Sequence, residues 1–209
     1  MHDDMAVIVP HGWLASAADL PEAEALLGLG STEAFRNSVI DDDPRLLAND
    51  GHPVLLEPGY KTKFVPVWIH GDGVEYSEDD SMLVHTCGSV LTTTNSMLAT
   101  VYLAAFVKSV TAVLAKHGHD TWSAIWRVLT WSFLAAWEGK HPCVDWEGNA
   151  FPAGSKFAAL AGTQLCRGFR FLIWNLIPNV LNFYHIMAFN KFSCRVLKSC
   201  NLSFIFFSS

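Results

Sequence analysis

Runs of apolar residues predict two strong β-strands with helices between them. Phe64–Ile69 is short, apolar and rich in β-branched and aromatic residues, and Phe169–Ile177 has the same character. Asn95–Lys116 has apolar residues near helical spacing and predicts a buried helix. A second helix, Trp122–Trp137, places one apolar stripe on a single face: Trp122, Trp126, Leu129, Phe133 and Trp137. Two helices between two strands predict an α/β domain over residues 63–177.

Weaker signals fill the rest of the chain. Residues 1–62 predict an irregular lead-in with short helices around Leu20–Leu27 and from Ser31 over Glu33–Val39. Further short elements are expected as strands at Met82–Thr86 and around Ser89–Thr93, and as a helix at Phe157–Leu165.

Residues 178–209 differ in composition from everything before them. They contain no Gly, Asp or Glu, and they show no clean helical or strand period. Such a composition is typical of translated A/T-rich non-coding sequence, so we interpret this apolar tail as a translated intron. The alternative is a membrane-associating tail, but Asn182, His185 and Lys191 interrupt any spanning helix.

Charge is unevenly distributed. The net charge is −6, and every Asp and Glu lies at or before Glu147, whereas residues 148–209 carry only Lys and Arg. The acidic balance argues against a protein that binds nucleic acid by bulk attraction. The hydrophobic fraction of 51% is sufficient for a packed core. Five widely spaced cysteines without a Cys-x-x-Cys pair, and a start without a secretory signal, favour an intracellular setting.

Asp72 is the best single candidate for chemistry. It follows the first strand in His70-Gly71-Asp72-Gly73, where the two glycines permit unusual backbone conformations. A carboxylate at a strand end is suited to Mg²⁺, which prefers oxygen ligands. The alternative is an ordinary turn residue, since Asp and Gly are common after strands.

Other motifs give weaker signals. Four short pairs contain donors for zinc: His70-x-Asp72, His85-x-Cys87, His117-x-His119 and His141-x-Cys143. None has a matching second half at the usual spacing. No nucleophile elbow, phosphate loop or deaminase motif is present, and no small-molecule substrate is evident.

Several blocks resemble one known family. Lys63–Val74, with its Val-Trp-Ile-His-Gly-Asp-Gly-Val core, resembles the opening of CACTA (En/Spm) transposase-like domains. It is still more similar to a repeated, uncharacterised family related to them in dinoflagellate genomes. The Trp-rich segment Trp122–Trp137, the loop Pro142–Trp146, and Leu160–Gly162 with Phe169–Leu176 resemble the later blocks. The resemblance covers about residues 55–177.

The resemblance implies an incomplete ribonuclease-H-like domain. Asp72 would be its first catalytic Asp and the sole surviving metal ligand, with Mg²⁺ as the cofactor. The second Asp would follow the strand Phe169–Ile177, but the chain continues there with Pro178-Asn179 and has no later acid. We therefore expect a truncated, inactive domain whose intact relative would cut and transfer DNA strands in the nucleus. The alternatives are a non-enzymatic binding or scaffold module with exposed tryptophans, and a membrane-associated protein.

Overall fold

The protein is described by a computed structural model that covers residues 6–39, 43, 56–75, 77–109, 111 and 121–178. Its helices are α1 (Pro10–Ala18), α2 (Ala23–Leu27), α3 (Thr32–Ser38), α4 (Ser96–Ala99), α5 (Thr121–Glu138) and α6 (Lys156–Leu160). Its strands are β1 (Phe64–Glu75), β2 (Ser81–Ser89), β3 (Val101–Val107) and β4 (Arg170–Pro178). Short 3₁₀ turns lie at Leu29–Ser31, Tyr60–Thr62 and Cys166–Gly168.

The four strands form one mixed sheet in the order β3-β2-β1-β4. β1, β2 and β3 are antiparallel neighbours, and β4 returns parallel to β1 on its other side. The return passes through α5, as a parallel connection requires a crossover of a dozen or more residues. The expected α/β class is therefore confirmed, as are the helix at Trp122–Trp137 and the strand at Phe169–Ile177.

The main core lies on one face of the sheet. Val65 and Val67 of β1 are buried there, in one cluster with Leu129 of α5 and Leu14 of α1. A smaller cluster, which includes Phe64, Leu172 and Trp174 with Phe35 of α3 beside them, covers the opposite face near the starts of β1 and β4. Because side chains alternate along a strand, β1 contributes to both clusters.

The N-terminal segment belongs to this core. α2 and α3 confirm the two short helices expected before residue 40, and α1 is an additional helix that starts at Pro10. Leu14 and Leu27 are 1% and 0% exposed. The buried core therefore extends across the expected boundary at residues 62 and 63.

The helix expected at Asn95–Lys116 is wrong over most of its described part. Ser96–Ala99 is helical, and Lys108, Ser109 and Thr111 are helical again, but Val101–Val107 between them forms β3. A β-bulge shifts the register between His85 and Thr86, and it buries the consecutive residues Leu103 and Ala104. The bulge breaks the two-residue alternation that would have indicated a strand. Residues 112–116 lie outside the described part of the chain.

Two further expectations differ from the structure. The strand expected around Ser89–Thr93 is absent, because β2 ends at Ser89 and the next residues form a turn. Of the two long helices expected between Phe64–Ile69 and Phe169–Ile177, the described chain therefore contains only α5. α6 ends at Leu160, earlier than expected.

None of the described helices combines the length and apolar character needed to cross a membrane. The tail expected at residues 178–209 lies outside the described residues after Pro178.

A close contact at Gly88 yields a stability prediction. A Cβ atom at Gly88 would lie 2.7 Å from Cζ2 of Trp68 and 2.8 Å from the carbonyl oxygen of Ala99. We expect Gly88→Ala to lower the free energy of unfolding by about 1–3 kcal/mol, as overpacking does. Urea denaturation checks this.

The matched control is Gly73→Ala in the adjacent strand. A Cβ there would meet its nearest neighbour, Cδ2 of Leu83, at 3.5 Å, which is an ordinary contact. Gly73→Ala should therefore leave stability within about 0.5 kcal/mol of the wild type. Equal stability of the two variants would contradict the packing of Trp68 over Gly88.

Candidate functional site

Asp72 lies inside β1 rather than after its end. The expectation that the strand stops near Ile69 is wrong, since β1 continues to Glu75 and Asp72 pairs with Val84 of β2. Gly71 and Gly73 also pair with β2, and neither has a positive φ. The β2 ladder therefore holds both glycines in extended backbone, so Asp72 is not a turn residue.

The backbone of Asp72 follows the last residue of β1 that pairs with β4. Gly71 is the register partner of Pro178, the last residue of that strand. The carboxylate is half-buried, and its Oδ1 accepts a hydrogen bond of 2.7 Å from the backbone N–H of Gly73. By alternation, Asp72 and His70 point away from the main core, which receives Ile69 and Val67.

The described residues do not gather a metal centre around Asp72. Within the described ranges, no group of three or more His, Cys, Asp or Glu side chains is placed to hold a metal ion. In-line phosphoryl transfer with two metals requires several converging carboxylates. Asp72 alone does not fit such a centre.

Within the described ranges, the other His and Cys pairs do not form part of a metal centre either. His85 is buried between the rings of Phe106 and Trp126, and burial raises the pKa of Cys87 to about 12. A thiol with so high a pKa stays protonated, which disfavours zinc binding. His141 is half-buried and Cys143 is exposed. His117-x-His119 lies outside the described residues.

The structure brings together a polar cluster that the sequence did not indicate. His11 of α1 and Ser132 of α5 are 4% and 0% exposed, and Nδ1 of His11 lies 2.7 Å from Oγ of Ser132. The same Oγ accepts the backbone N–H of His11 at 2.9 Å. Both contacts are hydrogen bonds when the Ser132 hydroxyl donates to Nδ1 of His11. His11 is then neutral and carries its proton on Nε2.

The surroundings of His11 oppose a positive charge. Burial, together with the smaller effect of the neighbouring His141, lowers its pKa from the ordinary 6.5 to about 4. The two rings are 6.4 Å apart between centroids, and the ring of Trp131 meets His11 edge-on at 4.9 Å. Burial also lowers the pKa of His141.

A Ser–His pair is the usual element of nucleophilic catalysis, but this pair has no access to a substrate. Ser132 is completely buried, and its hydroxyl is held between two groups of α1. The pair therefore fastens α1 to α5. No sequence motif reveals it, because its two residues are separated by 121 positions.

The depressed pKa of His11 makes stability depend on pH. Between about pH 6.5 and 4 the unfolded chain binds a proton that the folded chain does not, so stability falls as the pH is lowered through this window. We expect His11 to contribute a loss of about 2–3 kcal/mol between about pH 7.5 and pH 4.5. Urea denaturation at both pH values measures this loss.

His11→Asn is the informative variant. Its amide oxygen can accept from Ser132 without titrating, so the loss of stability on acidification should shrink by most of that amount. His141→Asn, at a half-buried position, serves as the comparison and should retain most of the wild-type slope. An unchanged pH dependence in His11→Asn would exclude the buried neutral histidine.

Comparison with protein-family models, with curated proteins and with solved structures gave no match. The proposals that follow therefore rest on the residues and the geometry described above.

Proposed function

We propose that this chain is a ribonuclease-H-like domain of transposase origin whose metal centre is incomplete, and that it is inactive as a nuclease. The intact relative would cut and transfer DNA strands with Mg²⁺. DNA as a partner and the nucleus as a location belong to this proposal and follow from the resemblance in sequence.

The strand arrangement carries the proposal. Three consecutive antiparallel strands are followed by α5 and by a fourth strand parallel to the first. Ribonuclease-H-like domains have this arrangement, with one acid on the first strand and another after the parallel strand. Asp72 is on β1, and β4 ends at Pro178 beside it. Position and topology agree with the resemblance at this residue.

The proposed loss of activity rests on the number of carboxylates. Asn179 follows Pro178, and no Asp or Glu occurs after Glu147. A two-metal centre needs several negative oxygens around its cations, and one carboxylate cannot neutralise them. Removal of a ligand from such a centre typically abolishes cleavage rather than slowing it.

The alternative of a scaffold with an exposed tryptophan surface receives no support from α5. Trp126 and Trp137 are 5% and 2% exposed, so both belong to the core. A membrane-associated protein would be anchored by its apolar segments 93–115 and 170–209. β3 lies in the first segment and β4 begins the second, and both strands pair within the sheet.

A nuclease assay tests the inactive state. We expect no Mg²⁺-dependent cleavage of single- or double-stranded DNA by the wild type or by Asp72→Ala. Asp72 is half-buried and is not part of the main core, so we expect Asp72→Ala to lower the free energy of unfolding by less than about 1 kcal/mol. Mg²⁺-dependent cleavage that is present in the wild type and lost in Asp72→Ala would overturn the proposal.

Restoring a second carboxylate tests the ancestry directly. We expect Asn179→Asp to tighten Mn²⁺ binding by at least about tenfold, because it places an acid where the resemblance requires one. Titration followed by electron paramagnetic resonance measures the free Mn²⁺. The gain should vanish in Asn179→Asp combined with Asp72→Ala. An equal gain in both backgrounds would show that Asp72 is not the partner ligand.

A further inference from the structure

Among the described residues, the face of the sheet opposite the main core is partly exposed on β1, β2 and β3. Val67, Ile69 and Cys87 point into the main core, so the alternating side chains of the same strands point to the opposite face. We call these side chains on three strands the open face: His70, Asp72 and Val74 of β1, Met82, Val84 and Thr86 of β2, and Tyr102, Ala105 and Val107 of β3.

The open face contains a continuous apolar row. Val74 pairs with Met82, and Met82 pairs with Val107, so three apolar side chains lie across three strands. Val74 is 47% exposed and Met82 is 36% exposed. Tyr102, which is 63% exposed, lies further along the same face, opposite Thr86 of β2. Adjacent exposed apolar side chains on a sheet are typical of a surface that binds another molecule.

A rim of carboxylates borders this row. Glu75, Glu78 and Asp79 are exposed at the turn between β1 and β2, and Asp72 lies on the face itself. Asp80 ties the turn to the residue beyond β3, because its carboxylate accepts from the backbone N–H of Ser109 at 3.2 Å and from its hydroxyl. The acidic turn is thus fixed beside the apolar row.

We propose that the open face docks a cationic amphipathic segment of a partner protein, with its apolar side chains on Val74, Met82 and Tyr102 and its Lys or Arg residues against the acidic rim. The apolar row gives such a segment area to bury, and the rim selects the sign of its charge. The rim repels the phosphates of a nucleic acid. This inference goes beyond the proposed function, since it involves neither a metal nor DNA cleavage.

Binding to a designed peptide tests the proposal. The probe is a fluorescein-labelled helical peptide of about 18 residues, with Leu on one face and Lys on the other. Fluorescence anisotropy with the full chain should show saturable binding that weakens as salt is added. A peptide of the same pattern with Glu in place of Lys should not bind.

Two variants locate the site. Val74→Thr combined with Tyr102→Thr removes exposed apolar area, and the β-branched Thr is compatible with a strand at both positions. We expect this double variant to weaken binding of the peptide by about tenfold or more. Glu78→Gln combined with Asp79→Asn should weaken binding at low salt and flatten the salt dependence. Phe157→Thr is the matched control, because Phe157 is 60% exposed on α6, outside the open face. It should bind as the wild type does.

Four results would overturn the proposal. The first is absence of binding to the Leu/Lys peptide. The second is unchanged affinity of the Val74→Thr and Tyr102→Thr double variant. The third is equal binding of a Lys/Ser peptide, which would indicate charge alone. The fourth is self-association in analytical ultracentrifugation that the double variant abolishes, which would make a second copy the occupant.

Discussion

The position of β1 between β2 and β4 determines the rest of the structure. β1 pairs antiparallel with β2 and parallel with β4, so its backbone groups are satisfied on both sides. Pro66, which lacks a donor, is tolerated because it precedes the β1–β2 pairing, and its carbonyl accepts the N–H of Val90 at 2.9 Å. Val65, Val67 and Ile69 then bury one side of this strand under α1 and α5.

The same alternation assigns opposite roles to the two sides of β1. Odd-numbered residues such as Val67 form the core, whereas His70 and Asp72 lie on the other face with Val74. A one-residue slip of β1 would bury Asp72 and expose Ile69, so the hydrophobic core fixes the register. The placement of Asp72 beside the end of β4 is thus a consequence of core packing.

Local patterns predicted the elements whose signal is local. The helix α5 was identified from its helical period, and β1 and β4 were identified from short apolar runs rich in β-branched and aromatic residues. β3 was mistaken for a helix because its bulge buries two consecutive residues. Asp72 was predicted to follow the first strand, because the glycines around it suggested a turn, whereas pairing with β2 keeps it within β1. The contact between His11 and Ser132 depends on tertiary packing and has no local signal.

The nuclease ancestry and the cationic partner segment require different surroundings for the Asp72 carboxylate. A nucleic acid can approach Asp72 only if cations offset the acidic rim, and the chain offers one carboxylate where a metal centre needs several. A cationic protein segment needs no added cations to approach the acidic rim. The apolar row from Val74 to Val107 also gives such a segment apolar area to bury, which a phosphodiester backbone does not do. Under the proposed ancestry, a chain without acids after β4 would lack cleavage but keep the negative rim, which lies in the β1–β2 turn. The proposed binding through the open face therefore does not depend on catalysis.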